Sequence, residues 1–318
     1  MMPSASPHGA RGAISIVIPV LNEERSIVPL HEAIVTVWDE LPEYSREIIF
    51  IDDGSIDGTW SGISELAKKD PSVKSIRFAR HFGKEAAIEA GMRRAKGDAL
   101  VVMDGDLQHP PALIPKFVAA WEKGNDIVRA AHPAMRHDQI ARHATSVLFY
   151  RLFNTVSDTK ITPGASDFCL ISRRAANALN ALPEKQRFNR VLSEWIGFPS
   201  TTVTYEASAR VVGASAYTLR RLLSVARIAV ISSSTLPMTI IFFLGCLLAL
   251  LGALLVAGLL AYKYFVDYEY IGGAVVLAAF VIFNNGLLLI AFGVMSLYQI
   301  AIYREVQNRP SYIVSDSI

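Results

Sequence analysis

Cysteine is nearly absent, with two residues in 318, Cys169 and Cys246. Lying in separate segments, they build neither a disulfide framework nor a metal knot, so the expected setting is a reducing compartment. Net charge is small as well. Lys and Arg total 31 against 29 Asp and Glu, a formal +2, which leaves no electrostatic footprint for a nucleic-acid partner. The N-terminus has no apolar core and is not a signal peptide, and residues 1–13 are expected to form a disordered leader. Two nucleotide signatures are missing. No Gly-x-Gly-x-x-Gly turn follows the first apolar run, where Pro19-Val-Leu-Asn22 stands instead, and there is no P-loop. Charge itself then disappears twice, from Ile228 to Tyr262 and from Ile271 to Tyr303.

What is present begins with β-rich apolar runs that end in carboxylates. Ala99 to Met103 reads as a strand buried on both faces of a parallel sheet, followed by Asp104-Gly-Asp106. Residues i and i+2 of an extended chain point to one side, so both carboxylates can face one hard cation. The competing reading is an acidic turn, which Asp and Gly favour anyway. Glu47 to Ile51 is a second such strand and ends in Asp52-Asp53, while Ile14 to Val20 and Val73 to Phe78 are two more. Helical patterns separate them, running to about Glu40, to about Lys69, and from Gly83 to Ala95. Strands alternating with helices imply βαβ units, an α/β class and a mostly parallel sheet. Its carboxyl edge, where such sheets bind ligands, then carries Asp52, Asp53, Asp104 and Asp106. Without a glycine-rich phosphate cradle, a divalent cation is the remaining way to hold a nucleotide's phosphates. One carboxylate of Asp52-Asp53 is then left for a base or ribose.

Four blocks in order carry a resemblance: Ile16-Val-Ile-Pro-Val-Leu-Asn-Glu23, Ile51-Asp-Asp-Gly-Ser-Ile-Asp-Gly-Thr59, Ala79-Arg-His-Phe-Gly-Lys-Glu85 and Met103-Asp-Gly-Asp-Leu-Gln-His-Pro-Pro111. They resemble inverting family 2 glycosyltransferases, and among them the polyprenyl-phosphate enzymes such as bactoprenol glucosyltransferases and dolichol-phosphate mannose synthases. The resemblance implies a GT-A, Rossmann-like catalytic domain over 14–215, with Asp104 and Asp106 binding Mg²⁺ or Mn²⁺ on the donor diphosphate. It implies a nucleotide-sugar held by Pro19, Asn22, Glu23, Asp52, Asp53 and Lys84, with Gln108 beside metal and sugar. Asp167, in Ser166-Asp-Phe168, matches a carboxylate near the acceptor, and Asp106 or Asp167 is expected to orient that acceptor. On residues alone, Asp167 reads equally as a cap or turn. Arg210, Gly213, Ser215 and Tyr217 match a further block in which Ala216 replaces the usual Lys. Arg210, Ser215, Arg220 and Arg221 are the expected contacts to lipid phosphate.

Each charge-free run exceeds the roughly 20 residues needed to cross a bilayer. Transmembrane helices are expected near 236–262 and 271–295, within a hairpin 230–303, after an interfacial amphipathic helix over 216–229. Tyr262, Tyr264, Tyr268 and Tyr270 suit an interface. Arginines on both outer flanks put both termini, the catalytic domain and the tail 304–318 in the cytoplasm, at the inner (plasma) membrane. Asn284 and Asn285 need partners in lipid, which points to a homo-oligomer. Residues 131–142, with three nearby histidines (His132, His137 and His143), read as a mobile basic loop rather than a metal site. The expected activity is inverting transfer of a sugar, UDP-glucose being the favoured donor, to a polyprenyl phosphate. GDP-mannose or a UDP-modified pentose as donor, a polysaccharide-extending transferase, and a catalytically dead nucleotide-binding protein are the alternatives.

Overall fold

In a computed structural model of the chain, the described residues are 12–131, 165–184, 187–205, positions scattered through 241–254, and 273–318. Contacts divide the chain into two units, one of Met1–Arg151, Thr159–Ala216 and Arg309–Ile318, the other of Leu152–Asp158 and Tyr217–Asn308.

The first unit is an α/β sheet. Its strands are β1 (Gly12–Val20), β2 (Tyr44–Asp52), β3 (Val73–Phe78), β4 (Ala99–Val102), β5 (Ile127–Ala131), β6 (Ala165–Ser172), β7 (Ser200–Thr204) and β8 (Val314–Ser317). Its helices are α1 (Ile27–Trp38), α2 (Thr59–Lys69), α3 (Lys84–Arg94), α4 (Ile114–Glu122), α5 (Arg173–Ala181) and α6 (Asn189–Trp195). The sheet order is β7-β5-β6-β4-β1-β2-β3-β8. β4, β1, β2 and β3 are mutually parallel, as is the β5–β7 pair, whereas β6 runs antiparallel to both β4 and β5.

Period-two burial explains the layering. Ile14, Ile16 and Ile18 of β1 pack on one face with Ile27, Leu30 and Ile34 of α1, while Val17 faces the opposite layer with Ala87 and Ala90 of α3. Helices cover both faces, so the central strands are apolar without a break. Gly91 shows how closely α3 sits: a Cβ there would collide with the side chains of Val17 and Ile51.

Two features depart from expectation. Asp167 is neither cap nor turn but part of β6, a strand inserted between β4 and β5. The C-terminal residues are not a free tail, because β8 pairs antiparallel with β3. Ser75 and Ile318 exchange backbone bonds at 2.9 and 3.0 Å, Ala79 N–H donates to Ile313, and Tyr312 stacks on Phe78 at 4.9 Å and 14°.

In the second unit, α7 (Gly273–Val306) is one helix of 34 residues. Side chains at 274–276, 278–279, 282–283, 289, 301 and 304 lie outside the description. Counting only described residues, no helix is long and apolar enough to cross a membrane. The leader up to residue 11, the basic loop from 132, the interfacial helix 216–229, most of the first charge-free run and the linker 263–270 also lie outside the described residues.

The Tyr312–Phe78 stack gives the first prediction. Tyr312→Ala lowers the stability of the first unit by about 2 kcal/mol, on the order of 4–8 °C in Tm. Thermal melting of the full chain checks it, and an unchanged Tm removes β8 from the fold's support.

Candidate active site

Because β1, β2, β3 and β4 are parallel, their carboxyl ends bring four loops to one edge. The first two interlock. Asn22 adopts a left-handed φ of 56°, its N–H donating to Ser55 Oγ at 2.9 Å while its Oδ1 accepts from Ile56 N–H at 2.9 Å. Glu23 N–H donates to Thr59 Oγ1 at 2.9 Å. Burial, and then the carboxylates of Asp106, Asp57 and Asp104, push the Glu23 carboxyl up, so Glu23 belongs electrostatically to the same acidic edge. Pro19 passes close to the metal-type motif: a Cβ on Gly105 would stand 2.5 Å from Val20 Cγ1 and 3.3 Å from the Pro19 carbonyl oxygen, and only glycine fits there.

Asp52 and Asp53 are buried and occupied. Asp52 Oδ1 accepts from Ser55 N–H at 2.8 Å, and its Oδ2 lies 3.4 Å from Arg77 Nε. Asp53 accepts from Phe82 N–H at 2.7 Å and Gly83 N–H at 2.9 Å, with His81 Nδ1 at 2.8 Å. Asp52 Oδ2 makes no hydrogen bond among the described residues. Both aspartates shape the loops around the edge, and Asp53 in particular anchors the turn that delivers Lys84.

The reaction centre follows from strand pairing. β4 and β6 pair Val102 with Cys169, and beyond that pair Lys84 brings Asp104 and Asp167 together. Two neighbouring carboxylates repel, and Lys84 at the start of α3 resolves this. Its Nζ lies 2.5 Å from Asp104 Oδ1 and 3.1 Å from Asp167 Oδ2. Arg190, at the start of α6, grips the other Asp167 oxygen through Nε at 3.1 Å and Nη2 at 2.7 Å. Although burial opposes it, these two cations hold the Asp167 carboxyl down at about 2, while Asp104 and Asp167 raise Lys84 against its own burial.

Behind the pair, Glu85 Oε2 accepts from Asn189 N–H at 3.0 Å and Asn189 Nδ2 at 2.7 Å. Glu85–Asn189 thus ties together the two helix starts whose neighbouring residues, Lys84 and Arg190, hold Asp167. Burial pushes the Glu85 carboxyl up to about 7.

His109 steadies the motif from the other side. Asp104 N–H donates to His109 Nδ1 at 3.0 Å, so that nitrogen carries no proton, and the tautomer these partners assign has Nε2–H facing Ser166 Oγ at 3.1 Å. The ring lies parallel to Phe168 at 4.9 Å, and burial lowers its pKa. Asp106 Oδ1 accepts from Gln108 N–H at 3.1 Å, across Leu107 with its φ of 61°. Gln108 is exposed at the rim.

Among the described residues, no three His, Cys, Asp or Glu side chains converge into a complete metal site. Asp104 and Asp106 nonetheless offer half-exposed oxygen ligands on one turn. That donor set suits Mg²⁺ or Mn²⁺, which complete their shells with water and substrate phosphates. Arg210, Ser215, Arg220 and Arg221 lie outside the described residues. Sequence reasoning gave no role to His109, Glu85, Asn189 or Arg190. His109 had a signal, standing three residues after Asp106; the other three are joined only by folding.

Two predictions follow from this geometry. Asp104→Ala or Asp106→Ala abolishes sugar transfer while the melting curve keeps its cooperative transition, and near-normal turnover in either variant removes both residues from the metal role. For Glu85, the raised folded pKa means stability that is complete below about 4.5 and lost as pH rises through about 7. Melting between pH 5 and 8.5 therefore shows Glu85→Gln gaining on the parent as pH rises; parallel curves contradict it.

Comparison with known proteins bears on the whole chain. Residues 15–179 match the family described as Glycosyl transferase family 2. The SfII prophage-derived bactoprenol glucosyl transferase of Shigella flexneri is 36% identical over 308 residues, covering 96% of this chain and 98% of that protein. The prophage bactoprenol glucosyl transferase homolog of Escherichia coli K12 is 34% identical over 305 residues, covering 95% and 98%. Among solved structures, the Pyrobaculum calidifontis mannosyltransferase in complex with GDP-Man and Mn²⁺ is 16% identical, with a TM-score of 0.47 over 64% of this chain and 59% of that one. With the family's span covering the four loops of the carboxyl edge and near-full-length relatives in agreement, the chain belongs to glycosyl transferase family 2.

Proposed function

We propose that the protein transfers glucose from UDP-glucose to a polyprenyl phosphate at a membrane surface, with inversion at the anomeric carbon. The observation that carries this reading is that likeness to bactoprenol glucosyl transferases extends over 96% of the chain, beyond the family 2 region and through the charge-free C-terminal part. The nucleotide-sugar lies along the carboxyl edge, where the interlocked turns 19–23 and 52–59 form the nucleoside side and Lys84 faces the diphosphate. Asp52 or Asp53 takes part in holding the nucleoside, and both hold the loops of that site. Asp104 and Asp106 would hold a divalent cation, which would compensate charge on the departing nucleoside diphosphate.

The acceptor needs little activation. A phosphate monoester is already anionic near neutral pH, and Asp167, held at about 2 by its cations, is too weak a base to be asked for a proton. Asp167 orients; it does not deprotonate. Inversion then follows from one in-line displacement.

Membrane attachment is part of the same proposal. α7 spans 34 residues, about 50 Å at 1.5 Å per residue against a hydrocarbon core of about 30 Å. Its described side chains include exposed Leu277, Val281, Leu288, Ile290, Phe292 and Met295, a surface suited to lipid rather than water. The flanking arginines of the two charge-free runs put both termini on the cytoplasmic side, and exposed Asn284 and Asn285 support self-association.

The test is incubation of membranes carrying the protein with radiolabelled nucleotide-sugars and Mg²⁺ or Mn²⁺, followed by organic extraction. Label enters the lipid fraction, most strongly from UDP-glucose. Label in polymer instead establishes a polysaccharide-extending enzyme, and none in either fraction overturns the transferase reading.

A further inference from the structure

The family resemblance leads to an expectation of acceptor phosphate at basic residues near 210–221, and the described site itself holds two cations around one carboxylate. Asp104, Lys84, Asp167 and Arg190 are linked in that order by contacts of 2.5, 3.1 and 2.7 Å. Lys84 stands at the seam, touching the aspartate of the metal motif and Asp167 alike. Arg190 stands at the far end of the series, with Nε and Nη2 turned to one oxygen of Asp167.

We propose that Arg190, with Lys84, forms the subsite that binds the phosphate monoester of the acceptor, and that Asp167 fills this pair of cations with its own carboxylate when no acceptor is bound. The inference rests on the transferase reading and names the group that recognises its acceptor. Two observations favour a phosphate monoester over a hydroxyl acceptor. A guanidinium fork matches phosphate oxygens as it matches a carboxylate. The two cations are also spaced in advance, because Glu85 accepts both bonds from Asn189 and thereby fixes the residues next to each in sequence. The donor's diphosphate has its own compensation at Asp104 and Asp106, so the cation farthest from that motif is left to the acceptor. Lys84 then lies between the two phosphate groups and screens their repulsion.

The experiment uses the full chain in detergent or nanodiscs, with UDP-glucose as donor and undecaprenyl phosphate as acceptor. Arg190→Gln raises the KM for undecaprenyl phosphate by about tenfold or more, the weight of a charge-assisted hydrogen bond. The KM for UDP-glucose stays within about twofold, and Arg190→Lys recovers part of the loss. A purely structural role moves both KM values together or lowers the Tm of both variants without splitting them, and either result overturns the proposal. A second arm needs no turnover: farnesyl phosphate raises the Tm of the parent and not of Arg190→Gln, while farnesol and inorganic phosphate at equal concentration raise neither. If inorganic phosphate protects as well as farnesyl phosphate, the site is a free-phosphate site and the acceptor assignment falls. If the binding arm holds while no lipid is glucosylated, the transferase reading fails and the phosphate subsite stands.

Discussion

Two carboxylates bridged by one lysine form the constraint on which the site depends. Lys84 touches both Asp104 and Asp167, and neighbouring like charges destabilise each other unless compensated. Compensation comes from two helix starts distant in sequence, α3 with Lys84 and α6 with Arg190. Much of the surrounding architecture supports those two residues. Asp53 is buried to anchor the turn before Lys84, Glu85 accepts both bonds from Asn189, and Phe82 packs edge-on against Phe78 at 5.7 Å. Phe78 in turn stacks with Tyr312, so the C-terminal strand braces the same turn. Ionic contacts at the centre thus depend on apolar contacts well away from it.

The parallel half of the sheet was legible because its information is local. Each strand is a short apolar run, each ends in a polar turn, and periodicity alone recovers β1 to β4 with α1 to α3. The carboxyl edge follows from the connection rule, which placed Asp104 and Asp106 correctly without any knowledge of packing. Asp167 was not legible in the same way. Its strand enters the sheet between β4 and β5 and runs against both, and such non-local pairing leaves no periodic mark in the eight residues of β6. Arg190 and Glu85 are harder still, since their significance is a meeting of residues 84–85 with 189–190. Asp52 and Asp53 were placed at a strand end by the same rule, but position says nothing about burial, and the hydrogen bonds by which they hold the neighbouring loops came only with the fold.

β8 illustrates why a polar terminus is difficult to read. Val314-Ser-Asp-Ser317 has no apolar alternation strong enough to announce a strand, and all four residues are exposed. It forms because β3 would otherwise offer an open edge of unpaired backbone groups beside the active loop. The pairing satisfies backbone donors and acceptors that water would reach unevenly next to Phe78, and it leaves a charged residue, Asp316, on the outer strand where it discourages further edge pairing.

The ionisation of Asp167 also decides what kind of chemistry the centre can support. A carboxylate meant as a general base is tuned upward, toward the operating pH, by burial and by like charges. Here burial acts in that direction and is overridden by Arg190 and Lys84, so the net result lies at about 2. Glu85, a few residues away in space and lacking such direct cationic contacts, shows what burial does when it is not overridden, and its carboxyl rises to about 7. The two acids diverge chiefly because Asp167 is in direct contact with both cations, whereas Glu85 feels burial and the Asp167 charge more strongly than those cations. A site that spends both cations on keeping a carboxylate charged is organised to arrange anions, not to remove protons. That organisation suits an acceptor that arrives already ionised, and it explains how a family 2 scaffold can serve a phosphate without a conventional base.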